Sequence, residues 1–233
     1  MATYLLIHGA WSGGLSWRPI AAKLRERGHV AFAPSLTGLG DRLHLGGPET
    51  DLTTHVTDLV TLVEYEDLRD FVLVGHSYGG MVITGAADRL TDRVAHLVYF
   101  DAFLPEDGQS CYDLGGAPGR PVRDGWRVER RTDGGVLPPG SSPYQPLGTL
   151  TEKVQLSMPL EERPFSRTYV KAGLEPRVRA EPSSGAFWRA ADRVRDDPRW
   201  RYIELPGNHR LQRELPETVV GILLDLVRDE SPV

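Results

Sequence analysis

The segment FVLVGHSYGG, residues 71–80, leads an apolar run directly into a serine flanked by glycines. Gly75 stands two positions before Ser77 and Gly79 two positions after it, which gives the pattern G-x-S-x-G. The short pattern alone occurs by chance, but here an apolar strand precedes it and a helix-capable stretch follows it. Such a strained turn leaves little room for a Cβ at either glycine and lifts the serine hydroxyl above the ends of the strands. Ser77 is therefore predicted to be a nucleophile; the alternative is a small residue in an inert turn.

The remainder of the chain alternates short apolar runs with helical patterns. This alternation predicts βαβ units and a mostly parallel sheet. Several of the runs are apolar without a period of two, as expected for strands that are covered on both faces. The predicted strands are residues 3–8, 29–34, 71–75, 94–101, 167–171 and 201–205, and the predicted helices are 17–27, 51–68, 80–90 and a last helix from Pro216.

Residues 105–164 do not follow this alternation, because they are rich in glycine and proline and show little periodicity. A long segment of this kind inside a compact domain is usually functional. It contains Tyr112, Trp126 and Tyr144, which give it apolar side chains to pack. We therefore predict a cap inserted into a single α/β core formed by residues 1–104 and 165–233. A loosely ordered surface excursion is the alternative.

Composition excludes several classes of function. A net charge of −5 argues against a nucleic-acid-binding protein, and no apolar run approaches the length of a membrane span. The one cysteine excludes an internal disulfide framework, and no metal or cofactor motif is present, since Gly38-Leu39-Gly40 lacks the third glycine of a dinucleotide site. Residues after Met1 show no basic leader or cleavage site, so the expectation is a cytoplasmic protein without a cofactor.

A serine hydroxyl needs a base within hydrogen-bond reach. His209 follows the last predicted strand and a turn, which is where that base belongs in this architecture. Of the other histidines, His8 and His76 lie within motifs in which the backbone matters more than the imidazole. Attack of a serine on a carbonyl forms a tetrahedral intermediate with an oxyanion, which requires two N–H donors. These donors are predicted to be the backbone N–H groups of Tyr78, directly after the nucleophile, and of Ala10, in the loop after the first strand.

Two carboxylates satisfy the chain order serine, acid, histidine. Glu175 follows the strand at 167–171, and Asp101 ends the preceding strand. Aspartate is shorter and holds an imidazole more rigidly, and Ala102 and Phe103 after it indicate a packed setting, so Asp101 is preferred. Glu175 stays open as the alternative.

The segments HGAWSGGLSW, GHSYGG, FDAFLPEDGQS and GNHRLQRELPETV resemble α/β-hydrolase-fold proteins, specifically a bacterial branch similar to the plant hydroxynitrile lyases and methylesterases. The resemblance covers nearly the whole chain and is least specific in the cap segment. It implies the α/β-hydrolase fold, a triad containing Ser77 and His209, and oxyanion donors at Ala10 and Tyr78.

Two departures from the plant proteins bear on function. Those enzymes carry an aspartate where Glu175 stands, and the bacterial branch favours the sequence Asp-Ala-Phe that begins at Asp101. The lyase relatives also place a lysine over the active site, whereas Lys153 and Lys171 lie in a different sequence context. The absence of a matching lysine makes lyase activity a less favoured hypothesis than ester hydrolysis.

The sequence thus predicts a serine carboxylesterase acting on a medium-sized apolar or aromatic small-molecule ester. The alternatives are a carbon–carbon or hydroxynitrile-type lyase and a catalytically silent binder on the same fold. An apolar cap surface is also compatible with a homodimer. The side chains expected at the mouth of the pocket are Trp11, Phe103, Leu104 and Trp126.

Overall fold

The structure, a computed structural model, describes residues 1–116, 119–131, 135–174 and 182–228. These ranges contain nine β-strands and seven α-helices, together with short 3₁₀ turns. In chain order they are β1 (Thr3–Ile7), α1 (Arg18–Glu26), β2 (Val30–Phe32), α2 (Leu52–Tyr65), β3 (Phe71–His76), α3 (Gly79–Arg89), β4 (Val94–Phe100), β5 (Val122–Arg123), β6 (Arg127–Glu129), β7 (Tyr144–Pro146), α4 (Gly148–Thr151), β8 (Ser166–Ala172), α5 (Pro182–Val194), β9 (Arg201–Leu205), α6 (Leu211–Glu214) and α7 (Pro216–Arg228).

The central sheet has six strands in the order β2-β1-β3-β4-β8-β9, and every neighbouring pair is parallel. All six correspond to strands predicted from the sequence, with boundaries that differ by at most two residues. Because the strands are parallel, their carboxyl ends meet at one edge of the sheet, where open α/β sheets bind their ligands. The predicted α/β-hydrolase fold is confirmed.

Both faces of the sheet are covered. Along β1, Leu5 and Ile7 point into one hydrophobic core, whereas Tyr4 and Leu6 point into another. The first core is closed by α2, α3 and α5, and the second by α1 and α7. Side chains alternate between faces along a strand, so a strand with apolar residues at every position must be buried on both sides.

Local signals in the sequence account for the ends of the predicted helices. The carboxylate of Asp51 accepts a hydrogen bond from the backbone N–H of Thr54 at 2.7 Å, and the hydroxyl of Thr54 accepts one from the N–H of Asp51 at 3.3 Å. This capping box fixes the start of α2. Pro216 stands at the first position of α7, where its missing N–H has no helical partner to lose.

The segment at 105–164 forms a small structure of its own. Strands β5, β6 and β7 pair antiparallel in a three-stranded sheet, which α4 follows directly. Neither this sheet nor α5 is among the predicted elements. Among the helices in the described ranges, none combines the length and apolar character needed to cross a bilayer.

Candidate active site

Ser77 lies in a strained turn between β3 and α3. Its φ angle is 55°, a left-handed conformation that is rare for residues other than glycine. A Cβ on Gly75 would lie 2.8 Å from the carbonyl of Gly79, and a Cβ on Gly79 would lie 2.8 Å from the carbonyl oxygen of Ile7. The turn can therefore form only with glycine at both positions.

The loop after β1 runs directly against this turn. A Cβ built on Gly9 would lie 2.9 Å from the Cβ of Ser77, which places the following residue, Ala10, beside the serine. In the described part of the chain the N–H groups of Ala10 and Tyr78 donate no hydrogen bond to protein atoms. Two free donors next to a serine are the feature that oxyanion stabilisation requires.

The side chain of Tyr78 faces the core. It is fully buried, and its hydroxyl donates a hydrogen bond to Nδ1 of His55 at 2.9 Å, while Nε2–H of His55 donates to the carbonyl oxygen of Thr37 at 2.8 Å. Burial lowers the pKa of His55 to about 4, so this imidazole is neutral. The group that Tyr78 offers to the site is therefore its backbone N–H.

His209 lies in the loop after β9, beside the turn between β3 and α3 that carries Ser77, which we call the elbow. Its Nδ1–H donates to Oδ2 of Asp101 at 2.6 Å, and its ring stacks on Phe187 with centroids 4.8 Å apart. Because the carboxylate can only accept a hydrogen bond, the proton is assigned to Nδ1, and Nε2 is then the unprotonated nitrogen of the imidazole. The hydroxyl of Ser77 makes no hydrogen bond to the described residues.

The imidazole of His76 connects the elbow to the loop that carries His209. Its Nε2–H donates to the carbonyl oxygen of His209 at 2.7 Å, and the two ring centroids lie 4.6 Å apart. Burial, followed by the charge of His209, lowers the pKa of His76 to about 3. The imidazole of His76 therefore has a structural contact that the sequence does not indicate: it binds the backbone of the loop that carries His209.

Asp101 follows β4 and is fully buried, with a left-handed φ of 43°. Its N–H donates to the carbonyl oxygen of Val170 at 2.8 Å, which keeps the residue at the carboxyl edge of the sheet. Burial by itself raises the pKa of this carboxyl, but the hydrogen bond and charge of His209 and the ammonium of Lys171 outweigh burial and hold it below its usual range. Glu175, the alternative acid, lies outside the described residues.

Lys171, which sequence reasoning set aside, is part of this cluster. Its Nζ lies 2.6 Å from Oδ1 of Asp101, and the side chain is fully buried. The register pairs Phe100 of β4 with Val170 of β8, so the next residues on the two strands are Asp101 and Lys171. Opposite charges at the adjoining ends of neighbouring parallel strands are the signal that could have identified this pair.

Trp11 is held by the three-stranded sheet of strands β5, β6 and β7 and by residues near it. Its N–H donates to Oε1 of Gln145 at 3.0 Å, and its indole Nε1–H donates to the carbonyl oxygen of Val128 at 2.9 Å. Its own carbonyl accepts from the guanidinium of Arg130 at 2.7 Å and from the N–H of Ser142 at 2.9 Å. Trp11 has a φ of 52°, so four hydrogen bonds fix a strained residue next to Ala10.

The other expected pocket residues occupy different environments. Phe103 is almost fully buried, donates its N–H to the carbonyl oxygen of Ser77 at 3.1 Å, and packs edge-on against Phe187 at 4.9 Å. Leu104 is buried in the core below. Trp126 is half-buried in the cap segment, where its ring packs edge-on against Tyr144 at 5.2 Å.

A doubly covered parallel sheet with a strained serine turn at its carboxyl edge is typical of the α/β-hydrolase fold. The chain belongs to the alpha/beta hydrolase family, whose model matches residues 4–227.

Curated relatives match parts of this chain. The carbendazim hydrolyzing esterase of Nocardioides sp. (strain SG-4G) is 53% identical over 114 residues, which are 49% of this chain and 47% of that protein. The pyrethroid hydrolase of Sphingobium wenxiniae is 35% identical over 50% of this chain and 42% of its own length, and the salicylic acid-binding protein 2 of Nicotiana tabacum is 30% identical over 63% and 55%. The chain spans about half the length of the curated relatives it matches. Together with matches to plant methylesterases, they confirm the resemblance to that group.

A solved structure with the same fold is a pyrethroid hydrolase from Sphingobium faniae JZ-2, with a TM-score of 0.78 and 22% identity over 98% of both chains. An extracellular alpha/beta-hydrolase from a Paenibacillus species gives a TM-score of 0.74 at 23% identity, covering 97% of this chain and 98% of that one. Both likenesses concern the fold.

Proposed function

We propose that this protein is a serine carboxylesterase in which Ser77 is the nucleophile, His209 the general base and Asp101 the residue that orients the base. The observation that supports this most directly is the 2.6 Å hydrogen bond from His209 to Asp101 beside a serine in a left-handed turn. The relatives described as a carbendazim hydrolyzing esterase, a pyrethroid hydrolase and methylesterases support ester or ester-like substrates.

In this proposal the reaction proceeds through an acyl-enzyme. Nε2 of His209 takes the proton from the hydroxyl of Ser77 as Oγ forms a bond to the ester carbonyl carbon. The N–H groups of Ala10 and Tyr78 stabilise the resulting oxyanion. As the intermediate collapses, the bond to the alkoxy oxygen breaks and His209 returns the proton to the leaving alcohol. Water then attacks the acyl carbon, again giving its proton to His209, and the carboxylic acid leaves as Ser77 is reprotonated.

We propose a small apolar or aromatic ester as substrate and residues 105–164 as a cap over the pocket. The apolar surroundings support this substrate class, because Phe187 stacks on His209 and Phe103 packs against Phe187. Trp11 adds a half-buried indole beside the oxyanion loop, held by the cap segment. Such a wall favours planar apolar groups over charged ones.

The test is hydrolysis of p-nitrophenyl butyrate by the wild type, Ser77→Ala and His209→Ala. The matched control is Ser166→Ala, which removes an exposed hydroxyl at the opposite end of the sheet. We expect a burst of p-nitrophenol followed by steady turnover in the wild type and Ser166→Ala, and a loss of turnover by roughly three or more orders of magnitude in the two site variants. Equal turnover by the wild type and Ser77→Ala would contradict the proposal and direct attention to lyase substrates and ligand binding.

A further inference from the structure

We propose that Lys171 is a positioning residue for catalysis, which fixes the carboxylate of Asp101 so that a single oxygen orients His209. This inference rests on the proposed function, since it concerns the same triad. It extends that function by a fourth residue, which lies on β8 and does not contact the substrate.

The ammonium of Lys171 has a complete set of partners inside the protein. Nζ donates to Oδ1 of Asp101 at 2.6 Å and to the carbonyl oxygen of Ala172 at 2.8 Å, and it lies 4.3 Å from the ring centroid of Trp188. An ammonium has three donors, and here two carbonyl-type oxygens and one aromatic face receive it. Burying a basic side chain away from water is costly unless it has hydrogen-bonding and charged partners of this kind.

The carboxylate of Asp101 is divided between two roles. Oδ1 accepts from Lys171 and, at 3.3 Å, from the N–H of Ala172, whereas Oδ2 accepts from His209 at 2.6 Å. Without Lys171, Oδ1 would keep only the longer bond from Ala172, and the terminal torsion of the carboxylate, which is intrinsically broad, would be restrained mainly by His209 itself. Lys171 therefore fixes the carboxylate independently of the imidazole that the carboxylate has to orient.

The charge of Lys171 also bears on the protonation of the base. Among the described residues, Asp101 and His76 contact the imidazole of His209, Lys171 lies on the far side of the Asp101 carboxylate, and Arg210 follows His209 in the chain. A cation behind the carboxylate compensates part of the negative charge that would otherwise stabilise protonated His209. Removal of this cation should extend the protonated, inactive form of the base to higher pH.

The experiment compares Lys171→Met, which loses donor and charge, with Lys171→Gln, which keeps an amide donor. We expect kcat for p-nitrophenyl butyrate to fall about 10- to 100-fold in Lys171→Met, with KM within threefold, and to fall less in Lys171→Gln. The acid limb of kcat/KM should move to higher pH in both variants, because both lose the positive charge behind Asp101.

Arg163→Met is the matched control for the loss of a buried cation. Arg163 forms an ion pair with Asp88, is almost fully buried, and also donates to Thr91 at 2.6 Å. We expect this variant to melt at a lower temperature while kcat and the acid limb stay unchanged. Loss of a purely structural ion pair thus lowers only the melting temperature, whereas loss of a positioning residue changes kcat and the pH profile as well.

A double-variant cycle keeps the inference testable if Lys171→Met does not fold. Asp101→Asn with Lys171→Met removes both charges together, which avoids an unpaired buried ion. Since Lys171 acts through Asp101, kcat of the double variant should be no lower than that of Asp101→Asn alone, and should be higher where loss of the Lys171 donor lets the asparagine oxygen turn towards Nδ1–H of His209. A further tenfold loss in the double variant, or wild-type kcat and pH profile in folded Lys171→Gln, would overturn the inference.

Failure of this inference is distinguishable from failure of the proposed function. Loss of activity in Ser77→Ala together with unchanged kcat in the Lys171 variants would refute only the positioning role. Equal activity of Ser77→Ala and wild type would refute the esterase itself.

Discussion

Replacement of Asp101 by asparagine should damage catalysis and stability by two separate routes. Asparagine presents either its oxygen or its amide group to His209. With the oxygen held by Lys171, the amide N–H faces Nδ1 of the imidazole. Nδ1 must then accept, so the proton moves to Nε2 and the base loses its lone pair. In a well-characterised triad this wrong tautomer lowers kcat by about 10⁴-fold, equivalent to about 5 kcal/mol.

The effect on stability comes from Lys171, because the ammonium keeps an oxygen acceptor but loses its counter-charge. Both side chains are fully buried in the wild type. Breaking a buried ion pair from one side costs about 3–5 kcal/mol, and we expect the lower end because the acceptor remains. In a chain of this size, about 3 kcal/mol lowers the melting temperature by roughly 6–12 °C.

The assay combines thermal melting by circular dichroism with kcat for p-nitrophenyl butyrate well below the melting temperature. Glu175→Gln, made alongside, is expected to retain wild-type kcat. If Asp101→Asn melted early but kept kcat within tenfold of the wild type, the ion pair would be structural and Asp101 would not be the triad acid. A 10⁴-fold loss in Glu175→Gln instead would assign that role to Glu175.

Three further predictions concern the surroundings of the triad. Tyr78→Phe should leave kcat within about threefold, because the backbone N–H remains, and should destabilise the protein by about 1–2 kcal/mol in urea unfolding, because Nδ1 of His55 loses its donor; a large loss of kcat would contradict a backbone-only role. Gln145→Leu, which leaves the N–H of Trp11 without its acceptor, should lower kcat about tenfold in the esterase assay with little change in circular dichroism, and an unchanged kcat would show that this bond does not support the oxyanion loop. Burial lowers the pKa of His55 to about 4 and that of His76 to about 3, so the unfolded chain binds more protons than the folded chain below pH 6.5. The free energy of unfolding from urea titrations should be constant above pH 7 and fall as the pH drops from 6.5 to 4, by up to about 1.4 kcal/mol per pH unit for each imidazole. An unfolding free energy that stays constant over this range would refute the burial of neutral imidazoles.

The sequence predicts those parts of the fold that depend on short-range pattern. The six central strands are visible as apolar runs, and the serine turn is visible because two glycines at fixed spacing are a steric requirement of the turn itself. The free N–H groups of Ala10 and Tyr78 follow from the same local geometry. His209 can be predicted as the base because its position after the last strand follows from chain order.

The features that escaped prediction depend on pairing between distant segments. Lys171 meets Asp101 only through the register of β4 against β8, which are separated by the entire cap segment. The three-stranded sheet consists of strands of two or three residues, too short for any periodic signal. The hydrogen bond from His76 to the carbonyl oxygen of His209 could not be predicted, because the two residues lie 133 positions apart in the chain.

The attachment of Trp11 has a mechanical consequence for the loop that carries Ala10. Because its backbone and indole bind two strands of the cap sheet and two neighbouring residues, any displacement of that sheet pulls on the loop that carries the N–H of Ala10. The three-stranded sheet therefore cannot move independently of the loop that carries Ala10. In the proposed esterase, substitutions that reshape this sheet should change turnover together with substrate specificity.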